Sequence, residues 1–207
     1  ASVTASTTGA FTYTLDRWSY YASAASKFTV QQNAGSVTPP VGFSKYLGVT
    51  SSSAYSVGST DILVVSQAIE GFNIADLAWG TANAKTVTLS FWVYSSLTGT
   101  FGGALGNASP TRGYAFSYSI PVANTWTQIS ITVAGDTTGT WGTSNTDGMF
   151  IMFDLGTGST YRGTAGAWTG TSNIFGATGS VSLVNTLSAT FDVTGVQLEA
   201  GIQATPF

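Results

Sequence analysis

The chain has 207 residues, a length that fits one domain and is sufficient to bury a core without disulfide or metal staples. It contains no cysteine and no histidine, which excludes disulfides, thiol chemistry, histidine-based catalytic triads and most zinc or iron sites. With six basic and nine acidic residues and a net charge of −3, it lacks the basic surface that nucleic-acid binding requires, and no apolar run is long enough to predict membrane insertion.

Residues 1–10 are small and polar, which predicts an N-terminal arm or linker end ahead of one domain that spans residues 11–207. Alternation of apolar and polar residues, the period of a β-strand, recurs along that domain. The predicted strands cover residues 11–18, 28–31, 45–50, 61–69, 86–94, 100–105, 112–120, 126–133, 149–155 and 190–199. The longest loops between them, at residues 135–148 and 156–179, are rich in glycine, threonine, serine and asparagine.

The stretch at residues 67–96 predicts the centre of the fold. Within it, residues 73–79 predict a short helical turn that is capped by Asn73 and ended by Gly80. The period then changes to two, with apolar side chains on one face of the strand and mainly hydroxyls on the other. The inward residues of this strand are Val87, Leu89, Phe91 and Val93. Such a strand favours an interior place in a packed sheet.

The last predicted strand changes parity. Phe191 and Val193 share one face, whereas Val196 and Leu198 belong to the opposite parity. Gly195 lies between the two pairs, which predicts a β-bulge that resets the register. Together with the other strands, this pattern predicts an all-β fold, an antiparallel two-sheet β-sandwich of the jelly-roll type with one short helical turn.

Five segments together resemble a known domain family. They are TLDRW at residues 14–18, the stretch at residues 67–96, GDTTGTW at residues 135–141, FDLGTGSTYRGTAGAW at residues 153–168 and TGVQLEAGIQATPF at residues 194–207. This pattern resembles the jelly-roll, carbohydrate-binding-module-like domain near the C-terminus of tailed-phage tail fibres, tail spikes and prophage-encoded virion proteins. The resemblance covers nearly the whole chain.

The resemblance implies a role and a setting. It implies a module on the virion surface, outside the cell, carried on a homotrimeric fibre or spike together with other virion proteins. The partner that it implies is a host-surface glycan. The family has no agreed ligand pocket, so no binding residue is carried over from it.

The acidic residues do not predict catalysis. A glycosidase needs two carboxylates that flank a sugar, and the nine acidic residues here form no motif that names such a pair. The sequence therefore predicts a domain without an enzymatic activity of its own.

Sugar recognition is the stronger hypothesis, because aromatic faces stack on the apolar face of a pyranose while amides and hydroxyls pair with its hydroxyl groups. The long loops carry large aromatic and polar side chains that have no automatic role in a core. The candidate carbohydrate-binding residues are Trp141, Trp168, Tyr161, Arg162, Asn145, Asn173 and Asp147, with Trp92 on a face that should be polar. Tyr20 and Tyr21 form a weaker second patch.

Two other roles are open for the loop aromatics. The loops could fold back and bury Trp141 and Trp168 as a satellite cluster. The same rings could instead bury an interface with another protomer or virion protein, where tryptophan, tyrosine and arginine are enriched. The remaining tryptophans, on or beside strands, favour packing in the core or at its rim.

No cofactor is required by the sequence, although a structural Ca²⁺ is an open possibility. Jelly-roll modules of this type often hold Ca²⁺ with carboxylates and backbone carbonyls. The weak candidates for ligands are Asp136, Asp154 and Asp192. None of them lies in a dense ligand loop.

The predicted function is that of a non-catalytic module that recognises host-surface carbohydrate. A structural module for trimerisation, capping or attachment, with no ligand of its own, is the first alternative. An accessory domain of a polysaccharide-degrading enzyme is the second.

Overall fold

The computed structural model describes residues 2–171 and 173–207, and in it two antiparallel sheets pack face to face. The strands are β1 (Ser2–Thr4), β2 (Thr12–Tyr13), β3 (Trp18–Ala22), β4 (Phe28–Gln32), β5 (Leu47–Ser51), β6 (Leu63–Glu70), β7 (Val87–Ser95), β8 (Gly99–Asn107), β9 (Gly113–Ile120), β10 (Thr127–Val133), β11 (Asp147–Asp154), β12 (Arg162–Gly163), β13 (Trp168–Thr169), β14 (Gly176–Ala177) and β15 (Thr190–Ala200).

One sheet has six strands in the order β1-β4-β5-β15-β7-β10, and the other has seven in the order β13-β9-β8-β11-β6-β3-β2. Strands β12 and β14 form a small parallel pair outside both sheets. This arrangement confirms the predicted all-β, two-sheet jelly-roll sandwich.

Side chains of one parity from each sheet form the core, as the alternation along the strands predicted. On β7 the four predicted inward residues are all buried, and β7 pairs with β15 on one side and β10 on the other, so it is an interior strand. Alternation in the sequence predicts one inward face on β9 and one on β11, and both meet the same core from the second sheet. They consist of Tyr114, Phe116, Tyr118 and Ile120 of β9 and Met149, Ile151 and Phe153 of β11. The core is therefore filled by large aromatic and aliphatic side chains from both layers.

The helical turn differs in detail from the prediction. It consists of two 3₁₀ turns, Gly71–Asn73 and Ala75–Leu77. Asn73 does not cap it; its amide donates to Glu70 Oε2 at 3.0 Å instead. The turn ends at Ala78, which takes the left-handed conformation with φ 53°, two residues before the predicted stop. No helix in the described part of the chain is long and apolar enough to span a membrane.

The N-terminal segment is not a free arm. Strand β1 pairs with β4, and Ala5 is fully buried in the core. The single strand predicted over residues 11–18 is instead the turn of a hairpin, because Asp16 has φ 53° and the chain reverses between β2 and β3. The N-terminal segment is polar because β1 is an exposed strand at the edge of its sheet.

The predicted bulge in β15 is confirmed. The register against β7 shifts between Thr194 and Gln197, and Gly195 has φ 60°. The extra residue returns Val196 and Leu198 to the core side, on which Phe191 already lies.

Candidate functional site

The outer face of the seven-stranded sheet carries a second apolar layer. It is built from residues whose parity is opposite to that of the core, including Val64 of β6, Ala104 of β8, Ala115 of β9 and Met152 of β11. The segment at residues 174–177 covers part of this layer with Ile174, Phe175 and Ala177. The sheet is thus apolar on both faces, although only one face is needed for the sandwich core.

Five aromatic rings lie in a continuous row along this outer face, and we call them the aromatic strip: Phe11, Tyr21, Phe150, Tyr161 and Phe175. Phe11 stacks on Phe150 with centroids 5.2 Å apart and meets the edge of Tyr21 at 5.3 Å. Tyr21 stacks on Phe175 at 6.3 Å, and Phe175 meets Tyr161 at 6.0 Å. Phe11 is 39% exposed and Tyr21, Phe150 and Tyr161 are half-buried, whereas Phe175 is buried, so four of the five rings remain open to solvent.

A groove of about 350 Å³ runs over the strip. Its polar wall includes Asn173 and the turn that follows β8. Asn107 shapes that turn, because its Oδ1 accepts the backbone N–H groups of Thr111 and Arg112 at 3.0 and 2.9 Å. Its Nδ2 donates to Thr111 Oγ1 and to the Thr140 carbonyl, each at 3.0 Å. The rim of the groove is therefore held by hydrogen bonds and does not depend on a ligand for its form.

Arg112 is the charged side chain at the groove, and Asp136 neutralises it. Arg112 Nε and Nη2 donate to the two Asp136 oxygens at 2.7 Å each, and Asp136 also accepts from Thr138 and from Trp141 Nε1 at 3.2 Å. Burial acts to raise the pKa of Asp136, but the hydrogen bonds from Arg112 and Thr138 outweigh it and hold the pKa below its ordinary value. At neutral pH the pair is ionised and carries no net charge.

Trp141 and Trp168 do not line the groove. The loop folds back and buries Trp141, which is the alternative that the sequence left open, whereas Trp168 is half-buried. Trp141 is only 7% exposed, and the two rings pack against Trp79 with centroid distances of 4.7 and 5.2 Å. Tyr114 contacts Trp168 at 5.2 Å. The Trp168 indole donates to the Ala134 carbonyl at 2.7 Å. The loops fold back because this packing buries the rings of Trp79, Tyr114 and Trp141, leaves Trp168 half-buried, and still supplies acceptors for the indole N–H groups.

Of the neighbouring candidates, Tyr161 and Asn173 do line the groove. Arg162 points away from it. Its guanidinium lies 3.1 Å from Asp154 Oδ2 and donates to the Ser180 carbonyl at 2.9 Å, so it fastens the segment around β12 and β14 to the end of β11. The predicted ligand contact of Arg162 is replaced by this structural role.

The remaining candidates lie elsewhere. Asn145 and Asp147 are exposed and do not line the groove. Trp92 lies on the outer face of the six-stranded sheet, where it borders a different depression with Phe43 and Phe207. The structure therefore does not bring the predicted residues together into one site.

The candidate calcium ligands do not fit Ca²⁺. Asp136 and Asp154 are each paired with an arginine, and the part of the chain that is described holds no group of three or more acidic residues that could share a metal. Burial raises the pKa of Asp154 to about 6, against the opposing effect of Arg162 and two backbone N–H donors. Burial alone raises the pKa of Asp192 to about 7, and its Oδ1 has no hydrogen-bond partner among the described residues.

Sequence analysis missed Phe11, Phe150 and Phe175 as members of the site. A usable signal was present in β11, where Met149, Phe150, Ile151 and Met152 are consecutive apolar residues. A strand with apolar side chains of both parities has both faces covered, so an outer apolar layer could have been expected.

No family model matches the sequence, and comparison with curated sequences also gives no match. Solved structures are similar in fold. A proposed sugar-binding protein from Bacteroides thetaiotaomicron has a TM-score of 0.50 at 10% identity, over 88% of this chain and 87% of that one. The family 11 carbohydrate-binding module from Clostridium thermocellum, solved with a β-1,3-1,4-mixed-linked tetrasaccharide, has a TM-score of 0.45 at 13% identity, over 91% of each chain.

A third similar structure is the enzymatically active domain of tailspike protein 4 from bacteriophage CBA120. It has a TM-score of 0.49 at 14% identity and covers 90% of this chain, but this chain spans only 20% of that protein. At such identities the likeness concerns the fold, and the chain has the architecture of a jelly-roll β-sandwich.

Proposed function

We propose that this protein is a non-catalytic carbohydrate-binding module whose ligand lies over the aromatic strip. The observation that carries the proposal is the row of five aromatic rings, four of them open to solvent, on the outer face of the seven-stranded sheet next to polar groove walls. A globular domain has no structural need to leave such a row half exposed, since its core lies on the other side of the sheet.

The chemistry of the groove suits a sugar. Half-buried aromatic rings offer flat apolar faces for the C–H face of a pyranose. The hydroxyls of Tyr21 and Tyr161 and the carboxamide of Asn173 can donate to and accept from sugar hydroxyls. A groove of about 350 Å³ is at the lower end of the usual range for small-ligand sites, which suits a short stretch of glycan.

The charges of the groove favour binding over hydrolysis, and a neutral ligand over an acidic one. None of the described residues that line the groove is Asp or Glu, so the pair of carboxylates that glycoside hydrolysis requires is missing from this wall. Arg112 is engaged by Asp136 through two hydrogen bonds, which leaves little positive charge to attract a uronate or a sialic acid.

The setting that we propose is the surface of a phage-type virion, with the glycan on the host cell. The support is the resemblance of five sequence segments, among them residues 135–141 and 153–168, to domains of tail fibres and tail spikes. In the structure those two segments supply Asp136, Trp141 and Tyr161, which hold the rim or line the strip.

A glycan array followed by calorimetry tests the proposal. The chain should bind at least one neutral glycan, and Tyr161→Ala and Tyr21→Ala should each weaken binding roughly three- to tenfold, since an aromatic stacking contact is worth about 0.5–1.5 kcal/mol. Tyr13→Ala is the matched control, because Tyr13 is 69% exposed and lies outside the groove. The absence of any glycan signal, or an equal loss in the control, would overturn the proposal.

A further inference from the structure

An amide occupies a core-facing position in the middle of β6. The inward residues of this strand are Leu63, Val65, Gln67 and Ile69, and three of the four are aliphatic. The registers of β6 place Gln67 between Trp18 of β3 and Ile151 of β11, both of which pack on the core side. Gln67 is half-buried, so its carboxamide remains accessible although its position faces the core.

Gln67 lies at an open cleft between the two sheets. Gln67 borders a cleft of about 320 Å³ together with Trp18 and with Gln32, the last residue of β4. The six-stranded sheet contributes its bulge, so that Val193 and Val196, on either side of Gly195, form an apolar patch of the wall. The cleft lies between the two sheets, whereas the groove lies on the outer face of one sheet.

We infer that this cleft is a second binding site, with a single pyranose as its ligand. The half-buried indole of Trp18 supplies a flat apolar surface, and the carboxamides of Gln67 and Gln32 supply donors and acceptors from opposite sheets. Two carboxamides suit vicinal hydroxyl groups, because each can donate to one hydroxyl and accept from its neighbour.

The charges at the cleft agree with a neutral, hydroxyl-rich ligand. Asp16 and Lys45 are both exposed at its mouth and have opposite signs, so the mouth carries no net charge. The bulge at Gly195 lies in the wall of the cleft, and β-bulges are over-represented next to functional sites. The Thr194 hydroxyl donates to the Lys45 carbonyl at 2.7 Å and fixes the segment that carries Lys45.

NMR on the ¹⁵N-labelled full chain tests the inference. The probes are the methyl glycosides of glucose, galactose, mannose and N-acetylglucosamine, each added to roughly 50 mM because single sugars bind in the millimolar range. At least one of them should shift the indole N–H signal of Trp18 and the side-chain amide signals of Gln67 and Gln32. If none of the four moves these signals, the inference is wrong.

The variant Gln67→Leu separates binding from stability. It restores the aliphatic pattern of β6, so the melting temperature should stay the same or rise, while the affinity for the sugar should fall roughly tenfold. Binding at the affinity of the wild type would overturn the inference. If Gln67→Leu does not fold, Gln32→Ala serves the same purpose, because Gln32 is an exposed side chain at a strand end.

The groove variant Tyr161→Ala distinguishes the two sites in this experiment. It should abolish or weaken binding at the aromatic strip and leave the signals of Trp18 and Gln67 responsive to the sugar. The proposed function and the second site can thus fail separately.

Discussion

The ion pair between Asp136 and Arg112 connects the rim of the groove to the packed rings of Trp79, Trp141 and Trp168. Removing Asp136 should therefore lower the free energy of unfolding substantially. Asp136 is 2% exposed and accepts hydrogen bonds from Arg112, Thr138 and Trp141. The variant Asp136→Ala leaves a largely buried guanidinium and an indole N–H without their acceptor. Both groups lose contact with water when the chain folds. In the variant, no interaction with Asp136 compensates for that loss.

The expected loss is about 3–5 kcal/mol in the free energy of unfolding, the usual cost of removing one partner from a buried ion pair. A domain of ordinary stability has about 5–15 kcal/mol in total, so the variant should be markedly less stable. At roughly 2–4 °C per kcal/mol for a chain of this size, the melting temperature should fall by about 6–20 °C.

Urea denaturation followed by tryptophan fluorescence measures the change. The double variant Asp136→Leu with Arg112→Met is the informative control, because replacing both charges by apolar side chains removes the unpaired group and should recover most of the loss. Asp147→Ala, at an exposed carboxylate, should change stability by less than about 0.5 kcal/mol. A loss below about 1 kcal/mol in Asp136→Ala, or a double variant as unstable as the single one, would refute the reasoning.

Three further outcomes are expected. Because the pKa of Asp192 is raised from 3.8 to about 7, the folded state holds a proton that the unfolded state releases, so stability should fall between about pH 4 and pH 7. Asp192→Asn should remove about 3 kcal/mol of that fall. Gly195→Ala should cost about 1–2 kcal/mol, since φ is 60° and an added Cβ would lie 2.6 Å from the Phe43 ring. Glycan affinity at the groove should change less than about twofold between low and high salt, because Arg112 is paired with Asp136.

For each of these three predictions, a control or an outcome that would contradict it can be stated. Asp76→Asn, at an exposed carboxylate, should leave the pH profile as it is, and an unchanged slope in Asp192→Asn would show that Asp192 is not the group responsible. Gly35→Ala is matched in backbone conformation, with φ 67° and no atom nearer than 4.0 Å to the new Cβ, so an equal loss at both glycines would mean that the Phe43 contact adds nothing. A steep decrease of glycan affinity with salt would show that Arg112 acts as a free charge.

Strand periodicity was sufficient to predict the layers of this fold. The inward residues of β7, β9 and β11 were all identified from alternation, because a residue in a strand has only two sides on which to lie. The bulge at Gly195 was predicted in the same way, from a change in parity next to a glycine. These features depend on residues that lie close together in the chain, and the sequence shows the order of such residues directly.

Tertiary contacts decided what the local pattern of the loops left open. Trp141 and Trp168 lie in polar, glycine-rich loops, yet the loops fold back so that both rings pack on Trp79, which is more than sixty residues away in the chain. Nothing in the loops themselves names Trp79 as a partner. The N-terminal segment was misjudged for the same reason, since its pairing with β4 is a long-range contact.

The sequence by itself therefore determined the class of fold, the core faces of the long strands and the lack of thiol and histidine chemistry, because these follow from composition and from a period of two. Only the tertiary structure decided which aromatic rings are open to a ligand. The aromatic strip collects residues from a loop, from β3 and β11, from a 3₁₀ turn and from the segment before β14, and these meet only when the sheet is assembled. A binding surface of this kind is a property of strand order and register, and neither of these can be read from the spacing of residues along one chain.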